Sequence, residues 1–410
     1  MGKKIKRARQ LREGFTTGTA AAAAAQAAVI RLLGGSAPDT LDVALPPFVV
    51  QNIIMGVQGN HSPAGVWGGA PIHLRLPINI AETGTEPDGS AWAAVIKDGG
   101  DDPDATHGAR IIVHAAKKPW VSAETHPATR QDSGQGSIHL YGGAGVGLVT
   151  LPGLPVTPGE PAINPEPRKQ IAFAALEAAA RYGYSGSLHL LISVPDGAER
   201  AKKTMNARLG ITGGISILGT RGTVRPYGHD AWKATISQGI SVAASLRLDT
   251  LLFSTGRRSE RLGFGLYPDL APQRGIQVAD FAGFAIRETA KYNFARIIWC
   301  CFPGKLLKLA QGLEWTHASI AAADLSLLTR HCAEAGGSDE LLAALATVPT
   351  ATGMFTLMER TPAVHDATLR RIGKEALGTL QGWLNEAGSC CPKLTLCVFS
   401  LRETLLLRLP

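Results

Sequence analysis

Six consecutive alanines, Ala20 to Ala25, lie between Thr16-Thr17-Gly18-Thr19 and Gly34-Gly35. Alanine favours helix more than any other residue, a hydroxyl just ahead of the run can cap its start, and glycine can stop it. The pattern predicts a helix over about 19–33. The start of that helix leaves backbone donors beside the hydroxyls of Thr16 and Thr17, a suitable place for a ligand carboxylate. Capping alone explains the same threonines.

Around this helix the chain reads as folded. Its 410 residues favour two or three domains, and 45% hydrophobic against 18% charged residues places it among globular proteins with many turns, given 47 glycines and 25 prolines. No internal repeat stands out. Between residues 41 and 157, short apolar runs such as LDVALP, NIIMGV, PIHLRLPI, WAAVIKD and ARIIVHA read as strands, and PRKQIAFAALEAAARYG as a helix near 167–182. SLHLLISVP, near 187–195, is expected to open a second domain. After it come LDTLLFSTG and ARIIWCCFPG as strands and VADFAGFAIRETAKYN and GKLLKLAQG as helices. The fold expected is mixed, α+β and α/β: a sheet-rich domain over 1–185 and an α/β domain over 186–410 with a partly parallel sheet, whose ligands would sit beyond the carboxyl ends of strands. In the tail, Leu325, Leu328 and Cys332 share one helix face and read as core, and KLTLCVFSL reads as a closing strand.

The formal charge of +8 favours anionic partners. Nucleic acid is disfavoured: basic residues are scattered, aromatics are sparse, and no zinc-finger spacing or aromatic-interleaved stripe occurs. The MGKKIKRARQ start reads as a solvated terminus. Six cysteines without a CxxC pair speak for a reducing compartment rather than a disulfide framework or thiolate zinc site. No apolar run approaches membrane-spanning length, so a cytoplasmic protein is expected.

Four polar clusters lie between the apparent elements: Thr16 to Thr19, KDGGDDPDATHG at 97–108, the glycine- and proline-rich stretch 141–169, and KKTMNARLGITGGISILGTRGTVR at 202–225. The last resembles a ligand-contacting wall, with Gly213, Gly214 and Gly219 among glycines that allow close backbone approach, Asn206, Thr212 and Ser216 as polar partners, and Lys203, Arg208, Arg221 and Arg225 for carboxylates. A tight series of turns between buried elements is the plain alternative. Gly143, Gly145 and Gly147 alternate but lack the spacing of a dinucleotide fingerprint. Glu160, Asn164 and Arg168 sit on a segment stiffened by prolines. The acidic cluster does not match a calcium loop, turns held by Asp side chains explain it, and no protein-bound metal is expected.

The segments REGFTTGTAAAAAAQAA at 12–28, DGGDDPDATHG at 98–108, GVGLVTLPGLPVTPGEPAINPEPR at 145–168 and AKKTMNARLGITGGISILGTRGTVRPY at 201–227 together resemble the cobalt-precorrin-5B C(1)-methyltransferase family of the CbiD type. The likeness continues more loosely through GKLLKLAQG, Thr316-His317 and Ala323-Asp324. It implies an enzyme of anaerobic cobalamin biosynthesis that uses S-adenosylmethionine to methylate ring carbon 1 of a cobalt-corrin precursor, on a two-domain fold unlike that of the common corrin methylases. Cobalt would enter within the substrate.

On that reading, Glu160, Asn164, Arg168, Lys203, Arg208, Arg221 and Arg225 are the substrate-binding candidates. The donor would be contacted by Gly143, Gly145, Gly147, Thr212, Gly213, Gly214, Ser216 and Gly219, with binding or structural roles for Asp101 and Asp102. Thr16, Thr17, His107 and Asn206 are the candidates for orienting or proton-carrying roles, and His229 and His317 are further conceivable proton carriers. Two departures stand out: Phe302 occupies the position of a histidine in the Gly-His-x-Gly-Lys run usual in the family, and Gly228 replaces a serine. Phe302 leaves room for a non-catalytic tetrapyrrole- or polycarboxylate-binding protein as the alternative. A homodimer is expected only because symmetric assembly is common among soluble enzymes.

Overall fold

The computed structural model describes residues 11–46, 74–120, 126–133, 136–317, 322–389 and 392–410, with backbone alone for 126–133. The first ten residues, NIIMGV and the Cys390-Cys391 pair lie outside them. The chain forms two compact units, Met1–Gly228 and His229–Pro410.

In unit 1 a six-stranded sheet is built from β4 (Glu82–Thr85), β5 (Ala91–Ile96), β6 (Arg110–Ala116), β10 (Leu188–Ser193), β8 (Gly136–Gly142) and β7 (His126–Ser133), in that spatial order. All neighbours are antiparallel except β10 and β8. Two helices, α1 (Thr17–Leu32) and α2 (Pro165–Arg181), pack on one face with Ile111, Val113, Ile138, Leu140, Leu188 and Leu190.

Thr16 caps α1 by accepting from Thr19 N–H, and Gly34 ends it in the left-handed region at φ +89°. Every residue from Thr17 to Ile30 is buried, so the helix is enclosed on all sides rather than on one stripe. Small side chains make that possible, because neighbouring backbones can approach closely without a layer of large groups between them. Pro165 and Pro167 open α2, where a missing N–H costs nothing, and Gly183 follows its end at φ +62°. Paired strands β2 (Thr40–Ala44) with β3 (Arg75–Asn79), β1 (Gly14–Phe15) with β12 (Thr223–Val224), and β9 (Leu148–Val149) with β11 (Ile211–Thr212) complete the unit, along with the short helix α3 (Gly197–Ala201).

This corrects the expected boundary at 185/186. SLHLLISVP becomes β10, inserted between β6 and β8, so it closes the first sheet instead of opening a second domain. The glycine-rich wall accordingly belongs to unit 1, not to the α/β unit.

Unit 2 is α/β as expected. Its five-stranded sheet has the order β14 (Gly275–Gln277), β13 (Thr250–Ser254), β15 (Arg296–Cys301), β16 (Lys393–Phe399), β17 (Leu405–Leu409), parallel except for β17 at the edge. One face carries α5 (Arg257–Leu266), packed on Leu252, Ile298, Cys300, Cys397 and Phe399. The other carries α4 (His229–Ser245), α6 (Ala282–Thr289), α7 (Pro303–Ala310), α8 (Leu325–Glu334), α9 (Asp339–Ala346), α10 (Ala351–Met358) and α11 (Pro362–Glu386). Leu328 and Cys332 are fully buried with Leu325 against them, the expected core stripe. Cys300, Cys301, Cys332 and Cys397 are free and buried.

Candidate functional site

The four polar clusters converge in unit 1, and the segment 214–222 joins them. Thr16 N–H donates to Gly222 O (3.0 Å) and Gly18 N–H to Leu218 O (3.1 Å). The Thr17 hydroxyl lies 3.2 Å from both Ser216 O and Leu218 O and accepts from Leu218 N–H, while the Thr19 hydroxyl donates to Gly222 O (2.8 Å). Of the donors expected to receive a ligand carboxylate at the start of α1, Thr16 and Gly18 N–H are therefore engaged by the wall's own carbonyls and Thr19 N–H by the Thr16 hydroxyl. On its other side the wall takes the third cluster: Gly147 N–H to Ile215 O, Ile215 N–H to Gly145 O, Asn164 N–H to Ile217 O and Ile217 N–H to Ala162 O. Asn206, buried, donates from Nδ2 to Gly214 O (3.0 Å).

The glycines explain why these strands of backbone lie so close. A β-carbon on Gly145 would fall 1.8 Å from Val194 O, one on Gly214 2.1 Å from Gly145 O, and one on Gly219 2.3 Å from the Thr16 hydroxyl. Gly143 and Gly147 are likewise filled by Ser193 and Ile211. Gly213, at φ +77°, is the wall glycine with clear space around it.

The acidic cluster is a clasp. Asp101 exchanges backbone and side-chain bonds with Arg12 (2.9 and 2.8 Å), and Asp102 accepts from Tyr227 N–H (2.8 Å), which holds Tyr227 at φ +58°. Arg12 makes a two-pronged ion pair with Asp98, whose carboxyl is pulled down to about 2, chiefly by that hydrogen bond. Lys97, 1% exposed at the end of β5, pairs with Asp104. Burial alone would raise the Asp104 carboxyl, but the Lys97 charge and the bonds from Lys97 and Thr106 outweigh it and hold the group below its usual range. Nδ1 of His107 accepts from Gly99 N–H (3.0 Å). Gly14 and Gly100 let the clasp close, since a β-carbon on Gly14 would lie 2.3 Å from Gly99 C and one on Gly100 2.2 Å from Arg12 O.

Arg168 is buried, donating to Ile163 O (2.6 Å) and Glu160 (2.7 Å), so this pair braces the start of α2. Thr212 and Gly213 are exposed, Ser216 is buried, and Lys203, Arg221 and Arg225 are exposed with Arg208 half-buried. Arg225 lies 3.2 Å from Glu13. Beside Arg221 and Arg225 the rim exposes two large apolar groups, Leu218 (49%) and Tyr227 (66%). Of the three histidines, only His107 is in this cluster. His229 is in unit 2, packed edge-on against Trp315, and His317 is also in unit 2.

Sequence reasoning did not single out Arg12, Lys97, Leu218 or Tyr227. Lys97 carried a signal: a lysine closing an apolar strand and followed by a run of aspartates.

A family model described as CbiD matches residues 4–66 and 57–226, and one described as CbiD, C-terminal domain, matches 315–409. The chain belongs to the CbiD family. It is 47% identical, over 88% of its own length and 85% of the relative's, to the cobalt-precorrin-5B C(1)-methyltransferase of Nitratidesulfovibrio vulgaris. It is 41% identical, over 85% and 84%, to the protein of the same name from a Geobacillus species. A crystal structure of a cobalamin biosynthesis protein (cbiD) from Archaeoglobus fulgidus matches at 25% identity, covering 73% of this chain and 79% of that one, with a TM-score of 0.34. The first CbiD match ends at 226, two residues before unit 1 does, so the converging clusters all lie within it.

Proposed function

We propose that this chain methylates ring carbon 1 of cobalt-precorrin-5B, drawing the methyl group from S-adenosylmethionine and giving cobalt-precorrin-6A. The observation that carries the reading is 47% identity across 88% of the chain to a cobalt-precorrin-5B C(1)-methyltransferase. The methyl–sulfur bond breaks with its electron pair left on sulfur, and the pair that forms the new bond comes from the ring. The charge passed to the ring is discharged as a proton. No covalent enzyme intermediate is needed, so orientation and the placement of charge dominate.

The residues divide by exposure. Thr16, Thr17 and Asn206 are buried and bonded to wall carbonyls, and Asp101 and Asp102 to backbone amides, which suits them to positioning the rim rather than to touching a ligand. Glu160, Asn164 and Arg168 brace α2 in the same way. Substrate carboxylates are assigned to Lys203, Arg208, Arg221 and Arg225, and the apolar surface of the macrocycle to Leu218 and Tyr227. A proton-carrying role is assigned to His107, the exposed histidine of the acidic cluster. Cobalt arrives within the substrate.

The test is turnover: purified protein given S-adenosylmethionine should form S-adenosylhomocysteine only when cobalt-precorrin-5B is added. Binding of the corrinoid by a folded preparation, without the thioether product, would overturn the reading.

A further inference from the structure

The parallel sheet of unit 2 has a point where its strand order reverses, built from residues outside the converging clusters of unit 1. Its parallel strands run in the order β14-β13-β15-β16, so the chain leaves β13 in one direction and then crosses back over it to reach β15. The helices follow suit: α5, after β13, covers one face, whereas α6 and α7, before and after β15, cover the other. The loops after β13 and β15 therefore part at the carboxyl edge, the position where open α/β sheets bind nucleotides and other ligands.

Four features of that edge point to an occupant. First, the side chain of Ser254, the last residue of β13, is fully buried and its hydroxyl has no hydrogen-bond partner among the described residues. Alternation along β13 sets it on the face of Leu252, which lies beneath Gly263 of α5, so Ser254 is aimed at the first turn of that helix. A buried hydroxyl left unpaired is costly, and a ligand at the loop would relieve it. Second, α5 and α7, like α2, α3, α6 and α11, have no side-chain cap, so no capping side chain occupies their first amides. Third, at Gly256, the cap of α5, and Gly304, in the first turn of α7, no atom of the described residues beyond the chain neighbours and the helix's own backbone lies within 4 Å of where a β-carbon would stand, unlike Gly143, Gly145, Gly147 and Gly214. Their bareness is not consumed by packing. Fourth, Asp280, just beyond β14, takes Lys305 and Thr316 on Oδ1 alone, which leaves Oδ2 open among the described residues. Phe302 begins the second loop, half-buried, with the Arg258 guanidinium 5.2 Å above one face of its ring.

We propose that this edge of unit 2, and not the glycine wall of unit 1, binds the methyl donor: ribose hydroxyls on Asp280 Oδ2, the base against Phe302, and the methionine carboxylate at the start of α5 beside Gly256. The assignment rests on the methyl-transfer reading above. It also gives Phe302 a use as a flat apolar surface.

The whole chain is irradiated with methyl-tritiated S-adenosylmethionine, digested, and its labelled peptides sequenced. Label is expected on peptides spanning 254–260 or 302–308, and unlabelled S-adenosylhomocysteine should suppress it. In calorimetric titration with S-adenosylhomocysteine, Gly256→Val and Gly304→Val should each weaken affinity at least about tenfold. Their melting temperatures should stay near that of the parent, because a β-carbon at either position meets no atom beyond the chain neighbours and the helix's own backbone. Label on 142–149 or 210–222, with Gly256→Val binding unchanged, would overturn the proposal and leave methyl transfer standing. Failure of the folded protein to bind donor or thioether, even with cobalt-precorrin-5B present, would overturn both.

Discussion

Glycine is used in two ways in this chain, and substitution separates them. Gly145 sits at φ +74° with Val194 O where a side chain would go, while Gly213 sits at φ +77° facing open space. Gly145→Ala should cost more than about 3 kcal/mol, combining strain with a backbone clash, and Gly213→Ala only about 1 kcal/mol from the left-handed backbone. Chemical denaturation midpoints will show the difference. Asp98 supplies a pH-dependent contribution. Its carboxyl lies at about 2 when folded, against about 3.9 in an unfolded chain, so the stabilisation is fully present above about pH 4 and disappears as pH falls toward 2. The melting-temperature gap between the parent and Asp98→Asn should be level from about pH 5 to 8 and close below about pH 4; a gap that widened on acidification would contradict the ion pair. Sequence reasoning found the glycines and aspartates because both are unusual in composition and spacing. Which glycines are filled depends on contacts between residues some 50 to 70 positions apart, such as Gly145 with Val194 and Gly214, which local patterns do not carry.

At the scale of elements, α1 carries the most specific constraint. Its propensity and cap were legible, and the helix expected over 19–33 is found at Thr17–Leu32. Its enclosure on every side was not legible, because an alanine run has almost no amphipathic pattern to say which face turns inward. Ala24→Leu adds three carbons at a position with no exposed surface, and should cost about 3 kcal/mol, whereas Arg31→Leu on the exposed last turn should stay within about 0.5 kcal/mol. Equal effects in thermal unfolding would show that the helix is not enclosed. Periodicity also identified β5, β6, β13, β15, β16, α2, α6 and α7. The helix α4 was overlooked, its pattern broken by Gly239, whose missing side chain makes room for Ile276.

At the scale of the whole molecule, two domains, one sheet-rich and one α/β, were readable from the order of apolar runs. The boundary was not. β10 has the same apolar composition as the strands of unit 2, and only its pairing with β6 and β8 returns it to the first sheet. Moving the boundary to 228/229 places the glycine wall beside the α1 threonines and the acidic clasp, and leaves unit 2 with a parallel sheet whose strand order reverses between β13 and β15. The basic balance of the chain, with exposed arginines on a rim that also presents Leu218 and Tyr227, is consistent with a large substrate bearing many carboxylates. Cobalt-precorrin-5B should be turned over with S-adenosylmethionine carrying a carbon-13 methyl, and the product read by NMR. A single enriched methyl on ring carbon 1 is the predicted result; enrichment at another ring position, or none from a folded, substrate-binding preparation, would contradict it.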